Sequence, residues 1–195
     1  MAEFAVNPTA YDRLAIGFHG TRRKTVESLL RGRVFDPSEN TDDWLGHGIY
    51  FWEHAPQQAW WWAERRYGKE AAVVGAVLRL GQCIDLLDPK NAELLELQYQ
   101  KVAADFKASG LRLPQNANNH KYLDCLVFNQ LFVDLASAGF DVETVRAVFV
   151  PTGPRQRVWS RSGIFHGAHI QLCVRESKNI IGVWSVRKDG TYGKE

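Results

Sequence analysis

The sequence predicts an α+β fold, and two observations carry that prediction. Segments with strand patterning stand at both ends of the chain, while two long segments with helical spacing are grouped between them. The regular strand–helix–strand succession that would build a wound parallel sheet is missing. A length of 195 residues and a hydrophobic share of 45% suit one domain, residues 1–195, with a real core.

The elements follow in order. Arg13 to His19 reads as a strand, with Leu14, Ile16 and Phe18 on one face and Ala15, Gly17 and His19 on the other. Lys24 to Leu30 reads as a short helix, and Arg33 to Gly46 as a polar loop containing DPSENTDDWLG. Gly48 to Trp52 is a short strand, and Pro56 to Arg66 a helix with proline in its first turn, where no intrahelical N–H is needed. Val73 to Leu80 and Cys83 to Leu87 read as two strands joined at Gly81. In the middle, Leu95, Tyr99, Val102 and Phe106 recur at helical spacing. Leu123, Val127, Leu131 and Leu135 do the same, and GLRLPQNANN joins the two helices as a surface loop. Val145 to Val150 is a strand rich in β-branched residues, PTGPRQRVWSRSG a long polar loop, and His169 to Val174 and Ile180 to Val186 are the last strands.

Composition excludes several classes. Twenty-four basic and 22 acidic residues leave a net charge of +2, a balance that argues neither for nor against nucleic acid, although a committed duplex binder is usually more basic. The first residues show no basic segment followed by an apolar run, and the longest apolar or glycine run, Ala71 to Leu78, is too short to span a bilayer. Cys83, Cys125 and Cys173 are widely spaced and odd in number, which suits reduced thiols and a cytoplasmic location without membrane attachment. His166 and His169 form a lone HxxH, so no metal site is expected.

Three segments carry chemistry. In GFHGT, His19 ends a strand and Gly20 follows. A glycine there lets a flat ligand approach the backbone, whose N–H and C=O can pair with an amide; the plain alternative is a strand-ending turn with a surface histidine. In GHGIYFWEHAPQQAWWWA, Gly48, Tyr50 and Trp52 share one strand face, and Trp60, Trp61 and Trp62 sweep roughly 200° of the following helix. Aromatic faces suit a flat cationic ring, although core packing uses the same residues. In HIQLCVR, His169, Gln171 and Cys173 lie opposite the apolar face of Ile170, Leu172 and Val174.

Taken together and in order, His19-Gly20-Thr21 and Gly46-His47-Gly48-Ile49-Tyr50-Phe51 resemble the diphtheria-toxin and poly(ADP-ribose) polymerase branch of the ADP-ribosyltransferases. The resemblance runs from about Gly17 to Ala63, is thinner over His169 to Val186, and leaves residues 90–139 unmatched. It implies a split β-sheet core with inserted helices and NAD+ as co-substrate, with no metal. By the same resemblance His19 bonds the adenine-side ribose, Gly20 holds the nicotinamide carboxamide, Thr21 and Gly48 lie close by, and Tyr50 and Trp61 sandwich the nicotinamide ring. Trp61 stands eleven residues after Tyr50, the family's spacing for its second aromatic, and Gln58 falls where a small hydroxyl residue often meets the carboxamide. The loop Asp36 to Leu45 takes the place of the family's donor loop.

The departure is in the last segment, where Gln171 stands at the family's catalytic glutamate. Glutamine bonds a ribose hydroxyl but carries no charge and takes no proton at neutral pH. The expectation is therefore catalysis by His19, Tyr50 and Gln171, with transfer of single ADP-ribose units to a macromolecular acceptor, protein or nucleic acid. Glu176 and His169 are alternative proton acceptors. Arg155, Arg157, Trp159 and Arg161, in the loop before that strand, are the candidate acceptor contacts. Water as the acceptor (a NAD+ glycohydrolase), an RNA 2′-phosphotransferase, and a silent module binding NAD+ or ADP-ribose are the competing readings. The small free-standing form suits a bacterial toxin or phage-defence effector restrained by an antitoxin protein.

Overall fold

The structure, a computed structural model, describes residues 10–117, 120–151 and 156–189, so Arg155 lies outside the described residues, as do parts of the two long loops. The order is β1 (Ala10–Arg22), α1 (Arg23–Leu30), β2 (Ile49–Glu53), α2 (Pro56–Tyr67), β3 (Ala71–Asp85), α3 (Pro89–Ala108), α4 (Tyr122–Ser137), β4 (Thr144–Phe149), β5 (His169–Val174) and β6 (Ile180–Val186). The protein is α+β, and the described residues form one six-stranded, mostly antiparallel sheet and four α-helices.

The expected break at Gly81 does not occur. Gly81 adopts φ +57°, a conformation glycine tolerates, and the ladder continues through it, with Tyr11 opposite Gly81 and Ala10 opposite Gln82. One fifteen-residue strand results. The same long partner carries β1 beyond the expected Arg13–His19 at both ends.

The sheet consists of two halves. β6, β3 and β1 form one, and β2, β5 and β4 the other. They are joined by two short seams. β1 meets β2 only at Gly17↔Glu53 and Phe18↔Trp52, and β3 meets β4, in parallel, at Cys83 to Asp85. Between the halves lies a core built from Phe51, Val74, Ala76, Leu78, Leu172 and Val174, with Val26 and Leu29 of α1 packed on it. Helix α2 covers Phe18, Trp52 and Val73 through Ala59, and α3 and α4 cover β4 through Leu94, Phe128, Leu131 and Val145. Asp88 caps α3 by accepting the Lys90 N–H, with Pro89 in the first turn. Among the described residues no helix is long and apolar enough to cross a membrane.

Candidate functional site

The short β1–β2 seam creates the site. Antiparallel strands turn the N–H and C=O of alternate residues toward the same edge. On β1 that edge receives the His54 N–H at the Ile16 carbonyl, and two residues on Phe18 pairs with Trp52. The next pair in the ladder would be Gly20 with Tyr50, but the strands have already separated there. The Tyr50 carbonyl is taken instead by His19 Nδ1–H at 2.8 Å. The Gly20 N–H and C=O are left facing the gap, without a partner in β2.

A cavity of about 670 Å³ opens into this gap, within the size range of small-molecule and cofactor sites. His19, Gly20, Thr21, Gly48, Tyr50 and Gln171 all line it, so the three sequence-separated segments meet in one place. Because His19 donates through Nδ1, its Nε2 is the unprotonated nitrogen and accepts hydrogen bonds. Burial lowers the His19 pKa against the opposing pull of the Tyr50 carbonyl, which keeps the ring neutral.

Tyr50 is held rigidly. Its hydroxyl donates to the Gly46 carbonyl at 2.8 Å and accepts the Leu45 N–H at 2.9 Å. Burial pushes its pKa far upward, so the phenol is not a base. A Cβ on Gly48 would stand 2.5 Å from Cys173 Sγ and 2.9 Å from the Val174 carbonyl, so only glycine brings β2 this close to β5.

Gln171 lies opposite Trp52 in the β2–β5 ladder, and its Oε1 accepts the Trp44 indole N–H at 2.6 Å. An indole nitrogen only donates, so this bond fixes which end of the Gln171 amide is the acceptor. Nothing local in the sequence marks a pair 127 residues apart, and Trp44 was not among the expected site residues.

The helix phase corrects the second aromatic. Ala59 and Ala63 are fully buried, and Ala59 lies over Gly20, whose hypothetical Cβ would meet the Ala59 carbonyl at 2.6 Å. At 100° per residue, that phase turns Trp62 toward the cleft and Trp61 outward. Trp62 lines the cavity, tilts against Trp52 at 5.9 Å and meets the Tyr67 ring edge-on at 5.8 Å. Trp61 is 56% exposed and lies outside the cleft wall, and Gln58 also stands outside, near Gly167. The aromatic at the cleft is thus twelve residues after Tyr50, with His54 in a left-handed conformation (φ +50°) in the connection.

The opposite wall is the loop 35–44, which contributes Phe35, Asp36, Ser38, Asn40, Asp42, Asp43 and Trp44. Three contacts hold it in place. Asp36 pairs with Arg33 at 2.5 Å, Asp42 with His120 at 2.6 Å, and Asp43 accepts the Asn40 N–H at 2.9 Å. Helix α4 supports the same region. Asn129 Oδ1 accepts the His47 N–H at 3.0 Å, and the Phe132 ring packs against Gly46. Arg66 lines the cleft from α2.

The other expected residues lie elsewhere. His169 shares the strand face of Gln171 but stacks on Phe149 at 5.1 Å and donates Nδ1–H to the Gly167 carbonyl; burial lowers its pKa. It is outside the cleft lining, as is the exposed Glu176. Arg157 is exposed but bonds the Ser162 carbonyl and lies 4.6 Å over the Phe165 ring, so it braces its own loop. Trp159 and Arg161 are exposed on that loop. Among the described residues no group of three or more histidine, cysteine, aspartate or glutamate side chains is placed to hold a metal.

Fold and site thus define an α+β protein with a polar and aromatic cleft where its sheet divides. No family model and no solved structure matches the chain. The chain is similar to an uncharacterized protein of Methanocaldococcus jannaschii, 27% identical over 163 residues, which span 78% of this chain and 72% of that protein.

Proposed function

We propose that the chain is a mono-ADP-ribosyltransferase that cleaves NAD+ between nicotinamide and ribose and transfers ADP-ribose to a macromolecular acceptor. The observation that carries this reading is the convergence of His19, Gly20, Tyr50 and Gln171 on one cleft at the divided sheet. The division into β6–β3–β1 and β2–β5–β4 supports the split core that the sequence resemblance implies.

Each group has a chemical task in this reading. The free Gly20 N–H and C=O offer one donor and one acceptor, the complement of a primary amide. Tyr50 and Trp62 supply aromatic faces for the cationic nicotinamide ring. His19 Nε2 accepts a ribose hydroxyl proton, and Arg66 faces the diphosphate. Departure of neutral nicotinamide develops positive charge on the ribose, as in glycoside cleavage. Gln171 bonds a ribose hydroxyl but cannot neutralise that charge or remove a proton from an acceptor. Turnover therefore rests on holding the dinucleotide in a reactive geometry, and the acceptor must be a good nucleophile. These limits favour transfer of single units over chain growth.

The test is incubation with NAD+ labelled in its adenylate half, in the presence of a cell extract. Label on a macromolecule, lost in Tyr50→Ala, is the expected result. Free ADP-ribose alone would assign the cleft to hydrolysis. Unchanged NAD+ would leave only binding.

A further inference from the structure

The cleft does not end at Trp62. Two adjacent rows run along α2 at i, i+4 spacing, Gln58–Trp62–Arg66 beside the cleft and Gln57–Trp61–Arg65 further out. Trp61 and Trp62 are 56% and 41% exposed, a large apolar area to leave in water on a helix whose inner face is already packed. Glu64 is the one carboxylate on α2. It flanks the Gln57–Trp61–Arg65 row, where Lys188 neutralises it at 2.5 Å.

Positive charge continues past the helix end. The Arg22 guanidinium lies 5.1 Å over the Tyr67 ring, which joins the exposed Arg22-Arg23-Lys24 run to the α2 C-terminus. At the other end Gln58 approaches Gly167, in the loop that presents Trp159, 60% exposed, and Arg161. Six of the protein's 24 lysines and arginines thus flank one aromatic stripe beside its cleft.

We infer that this stripe binds single-stranded nucleic acid and that such a strand is the acceptor, the second part resting on the ADP-ribosyltransferase reading. With Trp62 and Arg66 given to the dinucleotide, the exposed Trp61 and Trp159, with Arg65 and Arg161 on the same segments, match a chain of flat bases and phosphates. Stacking needs unpaired bases, which favours a single strand over a duplex. An acidic protein surface would satisfy the arginines but leave the indole faces without flat partners. The helix is about 18 Å long, enough for several nucleotides to lie along it toward the cleft.

The experiment uses short fluorescein-labelled RNA and DNA strands, with duplex as competitor, and measures anisotropy in the absence of NAD+. Single strands should bind, with affinity falling steeply as salt rises. Trp61→Ala and Arg65→Glu should each weaken binding about ten-fold, and Arg65→Glu should also flatten the salt dependence. Arg65→Glu should leave NAD+ hydrolysis unchanged while removing label from the strand. Absence of strand binding at low salt, equal affinity in wild type and both variants, or label entering protein instead of the strand would overturn the inference. Strand binding without NAD+ consumption would keep the surface and sink the transferase reading, so the two failures are distinguishable.

Discussion

At the residue scale, the third position of the site is a glutamine held by an indole. Trp44 donates to Gln171 Oε1 at 2.6 Å, and a carboxylate at position 171 would accept the same bond. Gln171→Glu should therefore fold normally and raise NAD+ cleavage by at least about ten-fold, since it adds charge opposite the developing cation and a proton acceptor. A steady-state assay that finds no gain would separate Gln171 from the reacting ribose. Trp44→Phe keeps the ring but removes the donor, so the Gln171 amide loses its fixed orientation; kcat should fall with KM little changed. His19 sets the pH response. Burial lowers its folded pKa below the ordinary histidine value of about 6.5, so the unfolded chain binds the extra proton first. The contribution of neutral His19 to stability is present above pH 6.5 and is lost as pH falls through the folded pKa, and His169 adds a loss of the same sign. NAD+ binding followed by calorimetry should accordingly be flat from neutral pH upward and fail on acidification. Binding that strengthens below pH 6.5 would contradict a neutral acceptor at Nε2.

At the element scale, α4 gives the otherwise unmatched middle of the chain a place in the site. Asn129 bonds the His47 N–H, Cys125 Sγ contacts the Asn40 carbonyl at 3.4 Å, and His120 holds Asp42, so the loops on either side of Trp44 rest on this helix. Asn129→Ala should cost about 1 kcal/mol of stability from the lost bond, yet raise KM for NAD+ several-fold because Gly46 and Tyr50 lose their support. Equal KM in the variant, measured under the same conditions, would make α4 a packing element only. This division explains what was legible in the sequence. The two long helices and nearly every strand could be read from patterning, because their burial patterns are local, as in Val127, Leu131 and Leu135. His19 and Tyr50 stand out because they sit in glycine-flanked motifs, whereas Gln171 stands out only in the company of those two segments. Trp62 was displaced to Trp61 because a spacing rule ignores helix phase, which Ala59 and Ala63 set by packing on Gly20. Trp44–Gln171 and the α4 supports were hidden because they link residues roughly 80 to 130 apart, where no periodicity reaches.

At the scale of the whole molecule, two half-sheets joined by short seams need something else to hold them in register, and charge supplies it at the end of the seams away from the Gly20–Tyr50 gap. Arg146 on β4 bonds Glu53 at 2.6 Å and Asp85 at 3.1 Å, and Arg13 of β1 approaches Glu53 at 3.9 Å, so all four seam strands contribute. The Arg146, Glu53 and Asp85 side chains are nearly fully buried. Removing Arg146 leaves Asp85 buried without its counter-charge and Glu53 with only the half-exposed Arg13 at 3.9 Å, and breaking a buried pair in this way typically costs about 3–5 kcal/mol. Arg146→Ala should therefore lower stability by that amount in urea unfolding, and it should weaken NAD+ binding although Arg146 does not line the cleft, because the separation of β1 and β2 at Gly20 depends on how the halves meet at Gly17 and Glu53. Replacing Glu53, Asp85 and Arg146 together by apolar residues of similar volume removes the uncompensated charge and should recover most of the stability. If the cluster only fills space, Arg146→Met, which keeps most of the volume, should be close to wild type and clearly more stable than Arg146→Ala. If it holds the halves in register, Arg146→Met should be nearly as damaging as Arg146→Ala, and the triple variant should regain stability while NAD+ affinity reports whether the seam has kept its spacing.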